Sequence, residues 1–172
     1  MTNDAMTLDE IVEQRRSVID LASQVDEPTT RMVLFTVGGK LFAVAGTSIR
    51  EILPMRDIAF LPGGPTSLLG VINVRGDIES VISLAALLGL NEGQRSRHSS
   101  ILLASAAGIS SGLTVEAVID VAEIVDSAVQ TPPATTPVSM EGIVVGTVTH
   151  GDSVATLIEL DRLFQDFARN LV

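Results

Sequence analysis

Met32-Val33-Leu34-Phe35-Thr36-Val37-Gly38-Gly39-Lys40-Leu41-Phe42-Ala43-Val44-Ala45 is the stretch that decides the fold class. Its two arms are rich in Val, Phe and Leu, which suit a pleated and largely buried surface. Between them, Gly38-Gly39 can take the two positive φ values that a primed two-residue hairpin turn demands. Residues 32–37 and 40–45 are therefore expected to be the strands of one hairpin.

The same pattern recurs downstream. Residues 68–74 and 78–82 read as strands around the turn Arg75-Gly76-Asp77. Residues 101–104 and 113–125 read as further strands, joined across Gly108-Ile109-Ser110-Ser111-Gly112. Residues 143–148 and 154–158 flank the turn Gly151-Asp152-Ser153, after a Pro/Thr-rich loop at 130–137. Ser48-x-x-Glu51 suggests a short capped turn before Ile52, closed by Pro54. Pro62-Gly63-Gly64-Pro65 is a loop, and residues 84–90 suit a short helix stopped by Asn91 and Gly93. Many short strands with frequent turns indicate a mainly β chain, barrels or a sandwich rather than a doubly wound sheet. No fixed repeat period is visible.

A helix is expected at each end. Thr7-Leu8-Asp9-Glu10 is a capping box, and Met6 and Ile11 are spaced as a hydrophobic staple across it. Leu8, Ile11, Val12, Ile19 and Ala22 then share one helical stripe, which Pro28 ends. Residues 1–30 hold seven carboxylates against Arg15 and Arg16, so half of the chain's net charge of −10 sits there. This segment is expected to be an acidic amphipathic appendage, with residues 31–172 as the main domain. At the other end Leu160, Leu163, Phe164, Phe167 and Leu171 keep helical spacing. Arg162 and Asp166 are placed to pair on the outer face of that helix.

Composition excludes several function classes. The 172 residues include 11 Lys and Arg, 21 Asp and Glu, five Phe, and no Tyr, Trp or Cys. A nucleic-acid surface wants a basic groove with stacking aromatics, so nucleic acid is not an expected partner. Without cysteine there is no disulfide, thiolate catalysis or thiolate-held metal. His98 and His150 are too few for an all-histidine metal site, so neither metal nor cofactor is expected. The start has no basic, apolar leader, and the uncharged run at residues 99–115, which no other exceeds by more than its neighbouring His98, contains five Ser and two Gly. Direct membrane insertion is not expected of it, since a spanning helix needs about 20 mostly apolar residues. A cytoplasmic location follows as the expectation.

One enzyme motif is formally present. Gly108-Ile109-Ser110-Ser111-Gly112 matches G-x-S-x-G, with Asp120 or Asp126 and then His150 following in hydrolase order. That motif needs a strand, a sharp elbow and a helix. Here Leu113-Thr114-Val115 and Val118-Ile119 follow, a β-branched run unsuited to a helix. A hairpin turn explains Ser110 more simply, and His150 reads as a turn residue. No catalytic residue is expected, with a serine hydrolase built on Ser110 as the alternative from another class. Two charges stand out against apolar surroundings: Arg75 in Asn73-Val74-Arg75-Gly76, and Glu51 in Ile49-Arg50-Glu51-Ile52. Charges so placed are normally paired.

Three stretches together resemble a known family. They are residues 35–44, then Ile49-Arg50-Glu51-Ile52, then Gly70-Val71-Ile72-Asn73-Val74-Arg75-Gly76, and they are similar to the CheW domain of bacterial chemotaxis. Leu113-Thr114-Val115-Glu116-Ala117-Val118-Ile119-Asp120-Val121, Gly142 and Asp161-Arg162-Leu163-Phe164 continue the likeness over about residues 31–168. The resemblance implies two small five-stranded SH3-like β-barrel lobes on a shared hydrophobic seam. It further implies a non-catalytic adaptor between a methyl-accepting chemoreceptor tip and the regulatory domain of a chemotaxis histidine kinase. An adaptor of a pilus or other non-flagellar pathway is the variant reading. The family's Asn-Leu-Arg-Gly turn maps to Asn73, Val74, Arg75 and Gly76, and the glutamate that pairs with its arginine maps to Glu51. Ile49, Ile52 and Val118 complete the implied receptor contact. The chain departs from the family at Ser80-Val81-Ile82-Ser83-Leu84, where Pro-x-x-Asp-Leu is usual, and at Glu116-Ala117, where Asp-Gly is usual.

Overall fold

A computed structural model describes residues 8–25 and 27–171. The elements run α1 (Leu8–Val25), β1 (Thr29–Val37), β2 (Lys40–Ala45), β3 (Ile49–Pro54), β4 (Leu68–Val74), β5 (Asp77–Ser83) and α2 (Leu84–Leu87). They continue with β6 (Ser100–Ala106), β7 (Ile109–Val115), β8 (Ala117–Val125), β9 (Val144–His150), β10 (Ser153–Ile158) and α3 (Leu160–Arg169). The strands form two five-stranded sheets, in the orders β8-β1-β2-β10-β9 and β3-β6-β7-β5-β4. The fold is mainly β, as the strand pattern led us to expect, and in two lobes, as the resemblance implied.

The two lobes are copies of one plan. The succession β1-β2-β3-β4-β5-α2 recurs as β6-β7-β8-β9-β10-α3, and each copy lends its opening hairpin to the other copy's sheet. The hairpin β1-β2 lies between β8 and β10 in lobe one, and β6-β7 lies between β3 and β5 in lobe two. Each lobe has one parallel pair, β10 with β2 and β5 with β7. The bulges also coincide. Ile49 pairs with Ala104 and Glu51 with Leu103, skipping Arg50; Val118 pairs with Phe35 and Asp120 with Leu34, skipping Ile119. The duplication leaves no sequence period because its equivalence lies in turn positions and pairing register, which dissimilar side chains can satisfy.

Each sheet also curls back on itself. After β3, Ala59 exchanges two backbone bonds of 2.8 and 2.9 Å with Val71 of β4, joining the two ends of lobe two's sheet. After β8, Gln130 exchanges two of 2.9 Å with Thr147 of β9, joining those of lobe one. Gly70 permits the closure in lobe two: its φ is +144°, and a Cβ there would lie 2.1 Å from the Ala59 carbonyl oxygen. The Gly38-Gly39 turn has φ of +57° and +71°, so the opening hairpin uses the glycines as its sequence requires.

The seam between lobes is the main core. Val33, Phe35, Phe42 and Val44 of lobe one meet Ile82, Leu102, Ala104, Leu113 and Val115 of lobe two in one buried cluster. The stacked rings of Phe35 and Phe42, with centroids 6.3 Å apart, lie within it. Helix α3 adds Leu160, Leu163, Phe164 and Phe167 to the same cluster. Burying a side chain such as Phe164 contributes about 1.5–3 kcal/mol. Leu171 falls beyond the helix and is 52% exposed, so the spacing overstates the stripe by one residue.

Five local expectations are corrected. The short turn spans Gly46–Ser48, and Glu51 belongs to strand β3, because Ile49–Pro54 finds a partner in β6. The hairpin turn of lobe two is Ala107-Gly108, with φ of +51° and +74°, and Ser110 and Ser111 lie inside β7. Ser111 is buried there and meets the Ser80 hydroxyl at 2.9 Å, so tertiary pairing overrides the turn preference of serine. His150 is the last residue of β9 rather than a turn residue. The helix expected over 84–90 stops at Leu87, and Gly89 at φ +68° turns the chain away. Arg162 pairs with Glu159 at 3.1 Å and Asp166 with Arg169 at 3.4 Å, so the expected Arg162–Asp166 contact is replaced by two i,i+3 pairs. Helix α1 begins at Leu8; Thr7 and Met6, on which the capping box and the staple rest, lie outside the described residues.

Candidate partner-binding site

The site is assembled at the two edges of lobe two. Strand β3 presents Glu51, and the β4–β5 turn presents Arg75, at opposite ends of the sheet order. The turn is tight: Arg75 has φ +52° and Gly76 φ +94°. The Asn73 side-chain oxygen accepts the Gly76 amide proton at 2.8 Å, a local bond that steadies the left-handed pair. So held, the Arg75 guanidinium donates to both oxygens of Glu51, with Nη1 3.0 Å from Oε1 and Nη2 on Oε2. This is a planar, two-pronged contact, the geometry that guanidinium and carboxylate favour.

Charge follows from that contact. The hydrogen bond from Arg75 holds the Glu51 carboxyl below its ordinary value; partial burial opposes this, and the fields of Arg75, Arg56 and Arg50 reinforce it. The same bond pushes the Arg75 guanidinium up. The Arg75 side chain is 72% exposed and that of Glu51 32%, so a partner can reach the arginine while the carboxylate backs it.

The same lobe exposes apolar groups. Ile52 follows Glu51 on β3 and is exposed, as are Ile78 on β5 and Phe60 and Leu61 in the segment between β3 and β4. Ile49 and Val118 are half-buried and pack against the seam between lobes. They occupy equivalent places, each one residue before the bulge of its strand. Thus Glu51, Arg75 and Gly76 meet where the two edges of lobe two come together, Ile52 is exposed next along β3, and Ile49 and Val118 face the seam.

Two groups escaped the sequence reading. Arg56 donates to the Asn73 carbonyl at 3.3 Å and so braces the turn that presents Arg75. Arg50 meets Glu79 at 2.8 Å and the Ser110 hydroxyl at 2.6 Å. Nothing local in the sequence signals either, because the partners lie 17 to 60 residues away. The hydrolase alternative loses its geometry here. Ser110 lies in a strand of lobe two with Arg50 and Glu79, whereas Asp120 and His150 pair with each other in lobe one. Among the described residues no cluster of three or more metal-ligating side chains occurs, and no helix is long and apolar enough to cross a membrane.

Comparison with known proteins agrees with this architecture. Residues 31–168 match the family model described as CheW-like domain. The chain is 30% identical over 135 residues to the probable chemotaxis protein CheW of Rhizobium etli, spanning 78% of this chain and 87% of that protein. It is 30% identical over 118 residues to the chemotaxis protein CheW of Bacillus subtilis, spanning 66% of this chain and 76% of that one. The crystal structure of the scaffolding protein TtCheW from Thermoanaerobacter tengcongensis superposes with a TM-score of 0.72 at 28% identity, covering 80% of this chain and 94% of that one. The family match covers far more than half of the sequence, and the closed, duplicated lobes fit it: the chain belongs to the CheW-like domain family.

Proposed function

We propose that this protein is a non-catalytic chemotaxis adaptor that couples the cytoplasmic tip of a methyl-accepting chemoreceptor to the regulatory domain of a histidine kinase. Membership of the CheW-like family and the scaffolding relative support the adaptor role. The observation that carries the receptor-facing part is the Arg75–Glu51 contact, an exposed cation held by a two-pronged bond on the rim of lobe two. Arg75 and Glu51 fix the register of a receptor helix by charge, Gly76 allows the turn, and Ile52 gives apolar contact. Ile49 and Val118, half-buried on the seam, line the apolar floor on which the helix rests. A face of the barrels packs on the kinase's domain of like fold, so receptor state reaches the kinase through differential contacts. These partners put the protein in the cytoplasm, and residues 1–30 are an acidic appendage whose field favours a basic partner.

The test is capture of a purified receptor-tip fragment and of the kinase by wild-type protein, Arg75→Ala and Arg75→Lys. Arg75→Ala should lose receptor capture and keep kinase capture. Arg75→Lys should recover little, because an ammonium lacks the planar fork. Equal receptor capture by a folded Arg75→Ala protein refutes the assignment.

A further inference from the structure

Helix α1 lies outside the residues that match the family model, 31–168. By helical spacing Leu8, Ile11, Val12, Ile19 and Ala22 form one stripe, and Arg15 falls at its centre, four residues from both Ile11 and Ile19. Glu10 and Glu13 fall on the opposite face. Leu8 is 81% exposed, Ile11 40% and Val12 48%, so the chain's own lobes leave this end of the stripe uncovered. An arginine centred among apolar side chains asks for a surface that is apolar and also carries a carboxylate.

Lobe one offers such a surface. A cavity of about 440 Å³ opens where β1 enters the lobe and α3 begins, with Met32, Val145 and Leu157 among its apolar lining. Its charged lining residues among those described are Asp126, Glu159 and Asp161, all acidic. Glu159 is paired with Arg162 at 3.1 Å. Asp126 and Asp161 accept only neutral donors, the Thr30 hydroxyl at 2.7 Å and the Ala107 amide at 2.6 Å, and neither forms an ion pair among the described residues. The cavity of about 430 Å³ between α2 and α3 lacks that charge, because Asp166 there is paired with Arg169 at 3.4 Å.

We infer that α1 of one molecule seats Leu8, Ile11 and Val12 in the lobe-one cavity of a second copy, with Arg15 on Asp126, and that the exchange is reciprocal. Reciprocity closes the assembly as a two-fold dimer. The tether favours a second copy over the chain itself. The Pro28 carbonyl accepts the Asp126 amide proton at 2.9 Å, so the chain is fixed to the rim of its own cavity from residue 28 onward. The Leu8–Arg15 end lies about 15–26 Å along the helix from Val25, a length that carries it past that rim toward a neighbour's. Each helix then covers the cavity from whose rim its partner's helix departs.

Sedimentation equilibrium of the full chain, from about 5 to about 500 µM, tests this. The wild type should pass from monomer to dimer. Ile11→Asp, Arg15→Glu and Asp126→Arg should each weaken association roughly tenfold or more, and Arg15→Glu combined with Asp126→Arg should recover much of it. Ile11 and Arg15 are exposed on α1, so their variants should keep the wild-type circular dichroism. The chain has no cysteine, so Gln14→Cys with a fluorescent donor and Ser127→Cys with an acceptor can be placed on separate molecules. Energy transfer in their mixture is expected. A monomeric wild type, or transfer seen only when both labels share one molecule, overturns the inference. So does a dimer indifferent to Asp126→Arg, which would mean that the helices pair with each other instead. Neither receptor nor kinase enters these measurements, so their result is independent of the function proposed above.

Discussion

Arg75 and Glu51 face each other across the two edges of lobe two, the arginine from a turn where its own backbone is left-handed at φ +52°. A branched or long side chain rarely adopts that conformation, and an adjacent glycine at φ +94° shares the turn. The two-pronged bond to Glu51 therefore does two things at once. It directs the guanidinium, and it ties down a turn that the backbone alone does not favour.

Those two roles separate by substitution. Arg75→Ala removes the bond and keeps the left-handed demand, whereas Arg75→Gly removes both. Arg75→Gly should melt about 2–4 °C above Arg75→Ala, and neither should capture the receptor fragment. Thermal unfolding followed by circular dichroism measures the first difference. Equal melting of the two variants would mean the turn's conformation costs nothing in the folded state.

Acid should open this contact only late. Glu51 is held below its ordinary value of 4.5, chiefly by the bond from Arg75. A carboxylate whose folded pKa is depressed stabilises the fold above its unfolded pKa, and loses that contribution as pH falls through the folded value. The wild type minus Glu51→Gln difference in melting temperature should be constant from pH 7 down to about 5 and vanish in stronger acid. A difference that fades already between pH 7 and 6 would contradict the depressed carboxyl.

Lobe closure in the second sheet depends on one glycine. A Cβ at Gly70 would stand 2.1 Å from the Ala59 carbonyl oxygen, in a backbone conformation of φ +144° that side chains avoid. Gly70→Ala should cost about 2–3 kcal/mol and lower the melting temperature by roughly 4–10 °C, by breaking the Ala59–Val71 bridge. Exchange at the Val71 amide should rise most. Gly39→Ala is the control, since its Cβ would meet nothing within 4 Å and only the backbone penalty applies.

The parts of this fold that were legible in sequence are those written locally. The Gly38-Gly39 hairpin, strand 68–74 and the closing helix each state their conformation within a dozen residues. Arg75 and Glu51 stood out because each is a charge among apolar neighbours, and their pairing came from family resemblance rather than from spacing. The rest is set by long-range register. Ser110 and Ser111 have turn chemistry, yet β6 on one side and β5 on the other draw them into a strand. Glu51 looked like the end of a capping box because nothing near it reveals β6 as its partner. The duplication itself is invisible as a repeat, since it survives in bulges and turns while Glu51 and Arg75 in one copy have become Asp120 and Gly151 in the other.

The last prediction concerns helix α1, Leu8–Val25, and the boundary proposed near residue 30. Along residues 8–16 every side chain is exposed, including Leu8, Ile11 and Val12 on the apolar stripe. None of these residues belongs to the three buried clusters that hold the lobes together. The main domain, by contrast, begins its pairing at Thr29 with Val125, where the first strand enters lobe one. Removing residues 1–27 should thus leave both sheets intact and shift the melting temperature by no more than about 2 °C, the effect of a few tenths of a kcal/mol in a domain of this size. It should also remove about half of the net negative charge, so that association with a basic partner loses rate and salt dependence while kinase and receptor capture at high salt stay unchanged. A truncated chain that fails to fold would move the boundary and make α1 part of the core. A folded truncation that loses kinase capture at high salt would instead make the apolar stripe of α1 a docking element in its own right, since screened charge could not account for the loss.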